Sequence, residues 1–348
     1  MVTETPSREG RDSVVLRRDE LTALCERALI GSGAAPTQAA VLAEATAEAE
    51  LLGRRPVGVS HLVDYADGFR SGRIAAGAPS LEQHTSVISA VDCHGGLAQH
   101  GFEHAVPGLC AGAAEHGLSV VALRHCFTAG ELDYYVRRLN RRGLLGFACA
   151  NSPALVTVAG AHGPLLGSNP LAFGVPLPDG RRLAFDQASS ATAWVAVRDA
   201  AMSDVPIPDN WAVDSSGAPT TSAAEALEGA LLPFGGYKGG NIALLVEVLA
   251  TLSGGMFSTD APPFTSGAAS PSIGVTVVAV ATELLNPGYL RRLDAQLDRW
   301  KAELGADPDV WTAHHEAASC SLPRDLHDRL QSLAEMAAGD PIDAHEDG

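Results

Sequence analysis

Apolar and polar residues alternate in blocks along this chain, and the period of each block predicts an element. From Arg17, RRDELTALCERALIGSG places apolar residues at helical spacing and stops at Gly-Ser-Gly. APTQAAVLAEATAEAELLG predicts a second helix, Ala-rich and capped around Thr37. HLVDYADGFRSGRI predicts a third, ending near Gly72, so the chain opens with helices. SVISAVDCHGG then turns to strand character and stops at a Gly pair. LAQHGFEHAVPGLCAGAAEHG returns to helix, LSVVALRH to strand, GELDYYVRRLNRRG to helix and LLGFACANS to strand. This β-α-β-α-β rhythm predicts an α/β protein with a partly parallel sheet.

From Cys149 to Gly255, short apolar runs end in Gly, Pro, Asn and Ser corners. Buried strands that deliver polar turns to one place have this look. The last corner, GGYKGG, runs into the long apolar helix NIALLVEVLATL. MFSTDAPPFTSGAASPS reads as an exposed loop, and IGVTVVAVAT as a buried strand. GYLRRLDAQLDRWKAEL and DLHDRLQSLAEMAAG read as amphipathic helices. The expected organisation is a disordered leader over 1–12, one catalytic unit over 13–335 and an acidic tail over 336–348. Within that unit, 13–80 and 280–335 are expected to be mainly helical, and 120–275 forms an α/β segment.

Composition narrows the function. A hydrophobic content of 46% over 348 residues supports a large core. A formal net charge of −17 argues against a nucleic-acid partner, whose phosphates it would repel. No apolar run is long enough to span a membrane, and the polar start lacks a secretory h-region. The six cysteines contain no C-x-x-C pair, which fits reduced thiols in the cytoplasm.

Several fingerprints are missing: G-x-G-x-x-G between strand and helix, G-x-x-x-x-G-K-[ST], G-x-S-x-G and H-E-x-x-H. Among what remains, Lys238 lies between glycines at the start of a helix, where a phosphate can approach closely. Asn151-Ser152, Ser168-Asn169 and Asp186 each follow an apolar run, where α/β proteins place ligands. Turn chemistry explains any one of them equally well. His61, His94, His100 and His125 are candidate acid/base groups. Cys93-His94 and Cys126-His125 hint at zinc, but adjacent strand residues face opposite ways, so no metal site is expected.

The ordered motifs NSP (151–153), LGSNPLAFGVP (166–176), FDQASS (185–190), IPDNWAVDSSGAPTT (207–221) and GGYKG (235–239) resemble the malate/L-lactate dehydrogenase family, over roughly residues 14–330. The resemblance implies a non-Rossmann α/β fold with a mixed sheet and flanking helical segments, a homodimer, and NAD(H) or NADP(H) as coenzyme. It implies that Ser152, Asp186, Gln187, Ala188, Tyr237 and Lys238 contact that coenzyme.

The departures from the family pattern are as informative. Where the family carries D-S-H-G-V and then an Arg, this chain has RRPVGVSHLVDY. Pro56 and Val57 stand at the Ser-His pair and His61 at the Arg. A single gap, shifting the alignment by four positions, would instead set Ser60-His61 at that pair. The family's second histidine falls at Thr128, with Cys126 at the serine. Of the C-terminal R-x-P-G-E, Pro323 survives, and a lysine expected after D-x-A-x-S is Ala196. A positioned proton donor contributes roughly 10²–10⁴-fold in rate, so the usual ketone chemistry is not expected. The leading expectation is an NAD(P)H-dependent reductase of a small C=O, C=N or conjugated substrate in a specialised pathway. The replacement proton donors would come from His61, His125, Thr128 and Tyr134. A repurposed lyase or cyclase and a catalytically silent homologue are the alternatives.

Overall fold

The computed structural model describes residues 13–161, 163–264, 269–305 and 317–336. The expected leader, most of the acidic tail and the centre of the Pro/Ser/Gly-rich loop lie outside the described residues. The chain divides into two compact units, 1–76 with 314–348, and 77–313.

The first unit is mostly helical, as its apolar spacing predicts. Helices α1 (Arg18–Gly31), α2 (Pro36–Leu51), α3 (Val59–Arg70) and α11 (Arg324–Glu335) pack around Leu21, Leu29, Leu42, Leu62 and Leu330, all buried. Thr37 does not cap α2. The N-cap is Ala35 with no side-chain bond, and Pro36 begins the helix, where its missing N–H costs nothing. Glu50 of α2 accepts the Val59 N–H at 3.0 Å and so caps α3. A strand pair interrupts the helical expectation: β1 (Ser13–Arg17) lies antiparallel to β11 (Ser319–Pro323).

The second unit is built on a seven-stranded sheet in the order β2-β3-β4-β10-β5-β6-β7. The strands are β2 (Ser80–Gln83), β3 (Ile88–Asp92), β4 (Leu118–Cys126), β5 (Leu145–Ala150), β6 (Leu171–Pro176), β7 (Arg182–Gln187) and β10 (Ile273–Val280). Only β3 and β4 run parallel, joined by helix α4 (Ala98–His116). The remaining pairs are antiparallel, so the sheet is mixed. The predicted β-α-β-α-β run thus holds as elements but contributes one parallel pair. The second helix, α5 (Asp133–Asn140), leads to β5, with β10 inserted between β4 and β5. Strand β10 is apolar almost throughout, because α4 and α8 (Tyr237–Leu252) both pack on it.

A smaller lobe of this unit joins α6 (Trp194–Met202), α7 (Ala223–Leu227) and the short pair β8 (Ala212–Val213) and β9 (Ala230–Leu231). Val156, Val197, Ala212 and Leu231 form its core. Helices α9 (Thr282–Leu285) and α10 (Tyr289–Leu304) close the unit. Among the described residues, no helix is long and apolar enough to cross a membrane.

Candidate functional site

Four polar corners of the second unit meet through their backbones. Strand β5 ends in Asn151-Ser152-Pro153. Asn151 serves the scaffold: its amide donates to the Met256 carbonyl at 2.6 Å and its oxygen accepts the Gly274 N–H at 3.0 Å. The buried Ser152 hydroxyl accepts the Ser168 N–H at 3.1 Å and lies 3.4 Å from the Ser168 hydroxyl. Gly167 lets these segments touch, since a Cβ there would overlap Ser152 and the Asn169 side chain. Ser189 then ties the 166–170 turn to the end of β7. Its N–H donates to the Ser168 carbonyl at 2.7 Å and its hydroxyl to the Asn169 carbonyl at 2.8 Å. The Ser189 carbonyl accepts the Phe234 N–H at 3.1 Å, which brings in the fourth corner.

That corner is the turn into α8. Gly235 and Gly236 sit at φ 57° and 64°, which glycine adopts without strain, and the helix begins at Tyr237. The first N–H groups of a helix lack intrahelical acceptors and carry a partial positive charge. The side chains of Tyr237 and Lys238 are exposed on this turn. At the end of β7, the Asp186 carboxylate accepts the Asp133 N–H at 2.9 Å. Asp133 is fully buried, paired with Arg137 at 2.9 Å and with both terminal nitrogens of Arg182. Gln187 is exposed and Ala188 half-buried beside it. The fold therefore brings the neighbourhoods of Ser152, Asp186, Gln187, Ala188, Tyr237 and Lys238 into one connected region.

The proton-donor candidates are dispersed. His125 follows Arg124 at the end of β4 with φ 51°, and its Nδ1 lies 2.9 Å from Asp92. His94, at φ 50°, places Nδ1 3.1 Å from the same carboxylate and Nε2 2.9 Å from the Ser80 hydroxyl. Burial pushes the Asp92 carboxyl up. The His94 N–H and the two imidazoles outweigh it, and the group ends below the usual carboxylate range. Cys93 and Cys126 are buried while both imidazoles are exposed. Among the described residues, no group of three or more His, Cys, Asp or Glu side chains is arranged to hold a metal.

Thr128 is half-buried. Its carbonyl accepts the Ala98 N–H at 3.2 Å, and its hydroxyl accepts the Gly130 N–H at 3.3 Å. Tyr134 lies on α5. It is fully buried, its hydroxyl donates to Glu103 at 2.6 Å, and Arg138 lies over its ring. Burial and the neighbouring Glu103 charge push its phenol well above the ordinary value. Its ring packs edge-on to Phe102 and Tyr135. His61 belongs to the first unit, where its Nδ1 lies 2.8 Å from Asp64 and its ring meets Tyr65 edge-on. Pro56 and Val57 form a 3-10 turn with Arg55 ahead of α3.

Sequence reasoning missed Glu247. It lies on α8, 4% exposed, and accepts bonds from both the Ser258 N–H and the Ser258 hydroxyl, at 2.7 and 2.6 Å. The Asn169 amide donates to it at 2.9 Å. The available signal was a single carboxylate inside an otherwise apolar run.

The fold and this motif order have known counterparts. The family model of malate/L-lactate dehydrogenase matches residues 16–317. Delta(1)-pyrroline-2-carboxylate reductase 1 of Burkholderia ambifaria is 35% identical over 274 residues, 78% of this chain and 81% of the relative. (2R)-3-sulfolactate dehydrogenase (NADP(+)) of Chromohalobacter salexigens is 32% identical over 325 residues, 90% of this chain and 96% of the relative. The crystal structure of delta1-piperideine-2-carboxylate reductase from Pseudomonas syringae superposes with a TM-score of 0.80 at 30% identity. That match covers 93% of this chain and 95% of the other. The chain belongs to the malate/L-lactate dehydrogenase family. It is an NAD(P)-dependent oxidoreductase.

Proposed function

We propose that this protein reduces the C=N bond of a small cyclic iminium compound with NAD(P)H. The observation that carries the reading is that residue 128 is a threonine, where the resemblance sets the family's second histidine, and its hydroxyl, which accepts the Gly130 N–H, is far too weak an acid to replace an imidazolium. A ketone that accepts hydride becomes an alkoxide and needs a proton in the same step. A protonated imine does not. Carbon takes the hydride, the C=N π pair moves onto nitrogen, and a neutral amine leaves. Two of the relatives named above, the pyrroline and piperideine carboxylate reductases, carry names of this chemistry.

The chain's residues fit the coenzyme such a reaction needs. A dinucleotide requires a cation and free N–H donors for its phosphates, and hydroxyl, amide or carboxylate groups for its riboses and nicotinamide. Lys238 and the first turn of α8 offer the former, and Ser152, Asp186, Gln187 and Ala188 line the corners that offer the latter. Tyr237, exposed beside Lys238, offers a ring face. The coenzyme supplies the hydride. The protein's part is to orient it, exclude water and hold the substrate ring.

We also propose a homodimer, supported by Leu244, Leu245, Val248 and Leu252, whose exposures of 54, 51, 52 and 81% line one face of α8. The reading places the protein in the cytoplasm, where its free thiols persist.

The test is steady-state turnover of His61→Ala and His125→Ala on a cyclic imine. Each should stay within about threefold of the parent, because no protein acid is needed. A drop of about tenfold or more in either, at unchanged melting temperature, would assign the proton to that imidazole and overturn this account of the step.

A further inference from the structure

Glu247 is a buried carboxylate that forms no ion pair with any cation among the described residues, yet all its neighbours are donors. One oxygen accepts the Ser258 N–H. The other accepts the Ser258 hydroxyl and the Asn169 amide. Each neighbour passes the constraint on. The Ser258 hydroxyl accepts the Gly167 N–H at 3.0 Å, and the Ser258 carbonyl accepts the Ala154 N–H at 2.9 Å. The Asn169 amide also donates to the Ala243 carbonyl at 2.9 Å, and Asn169 itself is held at φ 39°. One side chain on α8 therefore fixes both the segment after Ser152 and the turn that carries Ser168.

We infer that Glu247 is a positioning residue of the coenzyme site: through Ser258 and Asn169 it sets the spacing between the Ser152 and Ser168 corners and the helix that begins at Tyr237. The inference rests on the coenzyme reading above. Glutamine cannot replace it. In either orientation its NH2 faces a donor, Ser258 N–H in one and the Asn169 amide in the other. Asn169 cannot turn to answer, because its oxygen would then face the Ala243 carbonyl. A buried donor opposite a donor forces the turn to move.

The experiment measures coenzyme Kd by nicotinamide fluorescence, with steady-state KM and kcat, on full-length Glu247→Gln and Ser258→Ala. Each is assayed well below its own melting temperature. Thr251→Val serves as the control. It removes a hydroxyl bonded to the Glu247 carbonyl on the same helix without touching the network. Expected are a rise in Kd and coenzyme KM of about tenfold or more for Glu247→Gln and about threefold or more for Ser258→Ala, with kcat changed less. The control should melt earlier and bind as the parent does. Should Glu247→Gln fail to fold, Ser258→Ala decides, together with faster amide exchange at Gly167. Parent-like Kd in folded Ser258→Ala, or an equal loss in the Thr251→Val control, overturns the inference. A parent protein that binds neither NADH nor NADPH would instead overturn the coenzyme reading.

Discussion

At the residue scale, the same side-chain type does opposite work in different surroundings. Asp92 holds two imidazoles at strained backbone positions, and its carboxyl is depressed in the folded state. A depressed carboxyl contributes stability above its unfolded pKa and loses it as pH falls through the folded one. The melting-temperature gap between the parent and Asp92→Asn should therefore be present above the ordinary carboxylate range and shrink as pH falls through and below it. A gap that persists unchanged in acid would show that the Asp92 charge contributes nothing. Asp186, Ser152 and Lys238 stand out in the sequence as candidates because each ends an apolar run or sits among glycines. The bond from Tyr134 to Glu103 was not legible, because a tyrosine looks the same in sequence whatever its hydroxyl faces. Asn151 and Glu247 carry partners 105 and 11 residues away in the chain, which no local pattern reports.

At the element scale, period was a reliable guide and pairing was not. Helices α1 to α5 and strands β3, β4, β5 and β10 stand where the apolar spacing puts them. Strands β1 and β11 escaped because SVVLR and SCSLP are short and half-exposed. Each becomes a strand only through a partner some three hundred residues away. Helix α8 carries the opposite lesson. Its apolar content predicts burial, yet Leu244, Leu245, Val248 and Leu252 are exposed. In the proposed homodimer, a second copy of the chain would cover that face. Val248→Asp would place a charge in the middle of the buried interface. Light scattering should show a dimer for the parent and a monomer for this variant, with helical content retained. A parent protein that runs as a monomer at micromolar concentration would contradict the dimer.

At the scale of the whole molecule, the chain keeps a family scaffold, and the proposed function rests on the reading that its usual proton-handling positions are altered. The corners at 151–153, 166–176 and 185–190 and the turn after Phe234 are connected by hydrogen bonds of the backbone and of the Ser152 and Ser189 hydroxyls. The proposed chemistry is a reduction needing hydride and orientation more than a strong acid. The direct measurement is the loss of nicotinamide absorbance when purified protein and NADPH, or NADH, meet a five- or six-membered cyclic imine, compared with the matching open-chain 2-oxo acid. The account predicts turnover of the imine with at least one coenzyme, and a kcat/KM for the oxo acid at least about tenfold lower. Equal or faster reduction of the oxo acid would mean that another group supplies the missing proton, and would contradict the reading of Thr128 on which the proposal stands.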